Sequence, residues 1–105
     1  ESDIEWLQRW YAGQCDGDWE HGYGVKIDTL DNPGWTVCID LKSTPLEHMQ
    51  MELVIRDDAP DDWIRLVVTE AQFRGDGDPG KLGKILAAFR EWASRFGTGG
   101  ASAET

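Results

Sequence analysis

The stretch "CDGDWEHGYG", Cys15 to Gly24, gathers a thiol, the carboxylates of Asp16, Asp18 and Glu20, the imidazole of His21 and the rings of Trp19 and Tyr23. Metal coordination, thiol catalysis and protein recognition all draw on such groups. Asp16, Asp18 and Glu20 alternate like the start of a calcium loop. An EF-hand, however, needs Gly at its sixth position and a bidentate Glu at its twelfth, and counting from Asp16 these are His21 and Ile27. A zinc site built on Cys15 and His21 needs two further ligands, and the other histidine, His48, lies beyond the next hairpin. As a nucleophile Cys15 is badly placed: it follows a helix, where the dipole and Asp16 both disfavour a thiolate. Cys38 sits between Val37 and Ile39 in a strand pattern, where an inert cysteine is expected. "GDGDPG" is a loop before a helix, with neither a P-loop nor a dinucleotide fingerprint in the chain. Acid pairs suited to glycoside chemistry carry no signal among so many acids. The residues therefore assign no catalytic group, no metal and no cofactor. What remains is recognition. Gly17, Gly22 and Gly24 let the chain turn from helix into strand, and the carboxylates stay wet. Trp19 and Tyr23 either cover the end of the core or, for Trp19, anchor a partner.

Charge points the same way. Twenty acidic residues face ten basic ones, a formal net of -10. Such a surface repels phosphate backbones and anionic membranes, which argues against direct nucleic-acid or membrane binding. It suits a basic protein partner captured by electrostatic steering. The acids cluster. Asp57, Asp58, Asp61 and Asp62 flank "AP" and are followed at once by Trp63; Asp16, Asp18 and Glu20 surround Trp19; Asp76 and Asp78 form a third group. Aromatic anchors beside charged rims are what interface hot spots use. The candidate partner-binding residues are thus Asp57, Asp58, Asp61, Asp62 and Trp63, with Asp16, Asp18, Trp19 and Glu20.

The elements that position these groups follow from periodicity. Ser2 and Glu5 make a capping box ahead of "DIEWLQRWYAGQC", a helix with Ile4, Leu7, Trp10 and Tyr11 on its inner face. "GVKIDTL" and "WTVCIDL" alternate around the turn "DNPG", a β-hairpin with Trp35, Val37, Ile39 and Leu41 inward. "MQMELVIR" is a third strand with Met49, Met51, Leu53 and Ile55 inward. "DDAPDD" is a polar loop, and "WIRLVVTE" a fourth strand with Ile64, Leu66 and Val68 inward; "AQFRG" extends it or forms an edge. Asp78 caps a last helix with Pro79 at its first position, and Leu82, Ile85, Leu86, Phe89, Trp92 and Phe96 form its stripe. Gly97 stops it. The expected fold is α+β: a four-stranded antiparallel meander with the N-terminal and C-terminal helices on one face. The other face would carry Lys26, Asp28, Thr36, Cys38, Asp40, Glu52, Val54, Arg56, Arg65 and Thr69. Residues 1–97 are expected to form one domain and 98–105 a disordered tail. No apolar run nears the ~18 residues of a membrane span, and no leader pattern precedes the first helix. Two cysteines without a CxxC pair fit a reducing cytosol. A monomer is the expected state.

The run "WLQRWYAGQCDGDWEHGYGVKIDTLDNPGW" resembles the front of the immunity protein 53 family of bacterial polymorphic toxin systems, and "LGKILAAFREW" is similar to its closing helix. The likeness spans roughly residues 5 to 93. It implies a small cytoplasmic α+β protein that neutralises a cognate toxin domain by direct contact. Some relatives carry a sulfurtransferase-like label, yet no cysteine here sits in a sulfur-binding loop. A small Cys/His-dependent enzyme using the Cys15 to His21 segment and an acidic regulatory module are the alternatives.

Overall fold

A computed structural model describes residues 1–96 of the chain; the expected stop at Gly97 and the tail 98–105 lie outside the described residues. Helix α1 (Asp3–Gln14) is capped as its sequence predicts. Ser2 Oγ accepts from the Glu5 N–H at 3.1 Å, and Glu5 accepts from the Ser2 N–H at 2.8 Å. Its inner face is rotated from the expected one. Trp6 and Trp10 are buried and Leu7 is partly covered, while Ile4 and Tyr11 face outward. Two indoles one turn apart bury more apolar area than Ile4 and a tyrosine, and so set the helix's rotation. A single turn, α2 (Trp19–Gly22), leads into β1 (Val25–Leu30) and β2 (Gly34–Asp40). These are followed by β3 (Val54–Ala59), β4 (Asp62–Thr69), β5 (Gln72–Gly77) and α3 (Leu82–Ser94).

The α+β class is the expected one, an antiparallel sheet with an N-terminal and a C-terminal helix. The sheet, however, has five strands in the order β1-β2-β5-β4-β3, so it is not a simple meander. Two local features account for the difference. The first is the turn between β4 and β5. Glu70 and Ala71 have φ of 51° and 57° and reverse the chain in two residues, so that Thr69 faces Gln72. Turns with positive φ at both central positions normally carry Asn or Gly there. With Glu and Ala instead, "WIRLVVTEAQF" looks like one strand and its continuation. The second is the segment 41–53, which crosses to the far edge of the sheet. Leu41 and Leu46 are buried in it, Met49 and Met51 pack partly against the core, and Trp92 Nε1 donates to the Gln50 carbonyl at 3.0 Å.

The expected third strand therefore begins only at Val54, and its facing is reversed. Val54 lies opposite Leu66, on the helix side, and Ile55 opposite Arg65, on the uncovered side. Directly opposed residues share a face, so Arg56, opposite Ile64, also leaves the outer face to which the pattern assigned it. "DDAPDD" is correspondingly a hairpin tip: Asp57, Asp58 and Ala59 end β3, Pro60 and Asp61 turn, and Asp62 opens β4. The entry to α3 differs as well. The helix starts at Leu82, and Asp78 organises the turn before it instead of capping it.

Packing explains why both helices share one face. Phe89 of α3 is fully buried, with its ring centroid 5.1 Å from Phe73 of β5, 5.2 Å from Trp10 and 5.8 Å from Trp6. Gly75, two residues along β5, lets α3 come close: a Cβ there would collide with Ile85. Of the predicted stripe of α3, Ile85, Leu86, Phe89 and Trp92 are buried, Leu82 is partly covered, and Phe96 lies exposed beyond the helix end. The strained turn yields a prediction. Glu70→Asn, an exposed change to a residue that tolerates positive φ, should raise the free energy of unfolding by about 0.5–1 kcal/mol in urea titration; an unchanged or lower midpoint would contradict the assignment of strain to Glu70.

Candidate functional site

The strands place the candidate residues in two separate groups. β2 spans seven residues, so its ends lie roughly 20 Å apart. Gly34, Gly77 and Trp63 gather at one end, beside the tip of the β3–β4 hairpin. At the other end, Asp40 accepts from the Gly24 N–H at 3.0 Å, next to α2. The group of Asp57, Asp58, Asp61, Asp62 and Trp63 is thus a strand length away from the group of Asp16, Asp18, Trp19 and Glu20.

The carboxylates within these groups are not equivalent. Asp16 Oδ1 accepts from the N–H groups of Trp19 and Asp18, each at 2.9 Å, and these bonds hold its carboxyl below the usual range. Glu20 accepts from the N–H of Asp16 at 3.0 Å and of Gly17 at 2.9 Å. Its own backbone N–H, followed by those two, likewise lowers its pKa. Both acids therefore shape the loop that joins α1 to β1. Trp19 is interior, only 5% exposed, with Nε1 donating to the Lys42 carbonyl at 2.8 Å. Its ring is a core component and presents no contact surface.

At the other end, the turn after β5 is tied to the hairpin. Asp78, 4% exposed, accepts from the Trp63 N–H at 2.9 Å, from the Gly80 N–H at 2.8 Å and from Lys81 Nζ at 2.6 Å. Lys81 Nζ also donates to Asp62 at 2.8 Å, and Trp35 Nε1 to the Pro79 carbonyl at 2.9 Å. Lys81 chiefly, then the Trp63 N–H, hold the Asp78 carboxyl down at about 2. Asp62 is therefore partly spent on structure. Asp57, Asp58 and Asp61 are exposed, and no ion pair among the described residues reaches them. Trp63 is half-buried, its ring lying over Gly34 on the uncovered face.

That face carries charge of both signs. Asp76 is buried at its centre, 3.1 Å from Arg74 Nε and 3.9 Å from Arg65 Nη1. Together with Asp78, this makes the third acidic group interior and paired, not wet. Part of their pairing is local, Arg74 with Asp76 and Lys81 with Asp78, and part comes across the sheet from Arg65 and the Trp63 N–H of β4.

Cys15 and His21, the residues offered for catalysis, both flank the turn after α1. Cys15 Sγ lies 3.4 Å from the Tyr11 carbonyl and donates to it. No hydrogen bond among the described residues joins it to His21. An open cleft of about 570 Å³ runs past Tyr11, His21, Tyr23, Lys26 and Asp40. Its carboxylate is already engaged, by the Gly24 N–H and by Gln72 Nε2 at 3.1 Å. Among the described residues no group of three His, Cys, Asp or Glu side chains is placed to hold a metal ion. No helix among them is long and apolar enough to cross a membrane.

Fold and site together define a small acidic α+β protein with one sheet face uncovered and unpaired carboxylates crowded at a hairpin tip. The chain belongs to the immunity protein 53 family, which it matches over residues 4–94. Its function is accordingly immunity, which implies a toxin as partner. No curated protein and no solved structure matches the chain.

The Asp78 node gives a pH dependence. Its folded carboxyl titrates at about 2 against an ordinary 3.8. Its stabilising contribution is therefore complete above 3.8 and is lost as pH falls towards about 2. Asp78→Asn should lower Tm at neutral pH by roughly 5 °C or more, and the gap to the parent should close over that acid window. A gap of constant size from pH 7 to pH 2 would exclude the ionised Asp78–Lys81 pair as its source.

Proposed function

We propose that this chain neutralises its cognate toxin domain by direct contact, without catalysis, in the cytosol of the toxin-producing cell. The observation that carries this reading is the hairpin tip, where Asp57, Asp58 and Asp61 project without cationic partners among the described residues, in a protein of net charge -10. Like charges held so close repel one another. A basic surface relieves that repulsion, and the summed field of the chain steers such a surface towards it. Trp63 supplies an aromatic surface beside the tip. A nuclease, whose substrate groove is basic, is the toxin class this charge fits best, with the carboxylates standing where phosphates would. Asp16, Asp18 and Glu20 form the secondary candidate contact, since two of these three acids are bonded to their own loop.

The test uses the cognate toxin domain, first captured by pull-down from the native strain and then prepared with an inactivating substitution so that it can be purified. Asp57→Asn, Asp58→Asn and Asp61→Asn are combined, and Asp62 is kept because it holds Lys81. The triple variant should associate at least about tenfold more slowly at low salt, with the difference fading at high salt. An association rate equal to the parent's would move the contact away from the tip.

The non-catalytic part has its own check. Cys15→Ser and Cys38→Ser should each leave cells protected against the toxin. Turnover of a sulfur donor such as thiosulfate that disappears in the Cys15 variant would establish an enzyme instead.

A further inference from the structure

The two edges of the sheet differ. β1 interleaves charge with its apolar residues, Lys26 and Asp28 between Val25, Ile27 and Thr29, a pattern that discourages another strand from pairing. β3 instead confines its charges, Arg56, Asp57 and Asp58, to its later part. Leu53, just before the strand, and Val54 and Ile55 at its start run consecutively and are 51%, 40% and 57% exposed. Consecutive exposed apolar residues on an edge strand are what unpartnered sheets avoid. The surface beside them is also concave. A groove of about 370 Å³ runs between β3 and α3, floored by Met51, Val54, Leu66, Trp92 and Phe96. The edge thus offers three things in line: backbone groups of a terminal strand, apolar side chains on both faces (Val54 towards the groove, Ile55 towards the open face), and the free carboxylates of the tip.

We propose that β3 is the docking edge for the toxin, which adds an extended segment to the sheet as a sixth strand. The inference rests on the toxin-binding reading and specifies its mode. Main-chain hydrogen bonds to an edge provide affinity, and alternate side chains entering a groove provide specificity. Charge selects the occupant. Two copies of β3 pairing antiparallel about Ile55 and Arg56 would set Asp57 and Asp58 of each chain against Val54 and Leu53 of the other, and bring together two chains of net charge -10. Four aspartates, Asp57 and Asp58 of each chain, would be gathered in one seam with only the two Arg56 side chains to offset them. A toxin segment of apolar residues followed by Lys or Arg fills the groove with the first part and meets Asp57, Asp58 and Asp61 with the second.

The test is amide hydrogen exchange of the full chain, alone and with the inactivated toxin domain, read residue by residue. It is combined with affinities for the parent, Ile55→Lys and the triple Asn variant. Because β4 already pairs one side of β3, strand addition should protect β3 amides at alternate residues. Ile55→Lys lies at an exposed position and adds a like charge against a basic segment. It should weaken binding at least tenfold with an unchanged Tm, which separates it from a folding defect. Toxin binding that is lost in the triple variant but leaves β3 exchange unchanged and survives Ile55→Lys would overturn the docking edge while keeping the acidic tip. Binding untouched by either variant, or no binding of that toxin domain, would overturn both. A dimer of the isolated chain that Ile55→Lys disperses would assign the edge to a second copy and overturn the proposal.

Discussion

The contact of Phe89 with Phe73 is the constraint on which the rest of the architecture depends. It fixes α3 on one face of the sheet, and the same ring takes Trp6 and Trp10 of α1 against its other sides. An aromatic hub of this kind contributes through buried area and through edge-on ring geometry together. Gly75 permits the close approach that brings Ile85 down onto β5. Once both helices are drawn to one side, the opposite face and the β3 edge are left without a covering element. Any surface offered to a partner is a consequence of that one-sided core.

The acidity of the chain divides into two kinds of carboxylate. Some are structural. Asp78 fastens the β4 start and the turn before α3, Asp76 lies under two arginines, Asp40 ties β1 and β5 to β2, and Asp16 and Glu20 shape the loop into α2. Asp76 and Asp78 have their charge offset by cations, and the others keep theirs but have acceptor positions taken by N–H donors. Asp57, Asp58 and Asp61 are of the second kind, unpaired and wet. Net charge alone therefore overstates how much of the surface can recognise a basic partner, and the recognition field concentrates where the pairing stops. The tip and the apolar start of β3 lie on one strand, so a single docked segment can engage both.

Much of this was legible in the sequence wherever the deciding interaction is local. Ser2 and Glu5 lie three residues apart, and the capping box forms between them whatever the rest of the chain does. "DNPG" between two alternating runs produces the β1–β2 hairpin, and the alternation in "WTVCIDL" correctly puts Val37, Ile39 and Leu41 inside. The α3 stripe repeats at the helical period and is buried at Ile85, Leu86, Phe89 and Trp92, though not at Phe96. The resemblance to immunity protein 53 was likewise carried by contiguous motifs. The sequence also determined that the acids cluster and that no cysteine or histidine stands in a recognisable catalytic pattern.

Only the tertiary structure decided which of those acids are free, because pairing depends on residues far apart in the chain. Lys81 takes Asp62 from nineteen positions away, and the Trp63 N–H reaches Asp78 across fifteen. Trp19 turned inward because the crossover at Lys42 presents a carbonyl to its indole. The Glu70–Ala71 turn has no signature in its own residues because neighbouring strands hold its backbone at positive φ: β4 pairs with β5 from Ile64–Gly77 to Thr69–Gln72. The facing of β3 was reversed for a related reason. Period-two alternation cannot set the register of a strand whose apolar residues run consecutively, and here Leu66 and Arg65 across the ladder set it. Local patterns fix elements through interactions a few residues long; which carboxylates remain unpaired, and which edge remains open, are properties of the packed chain.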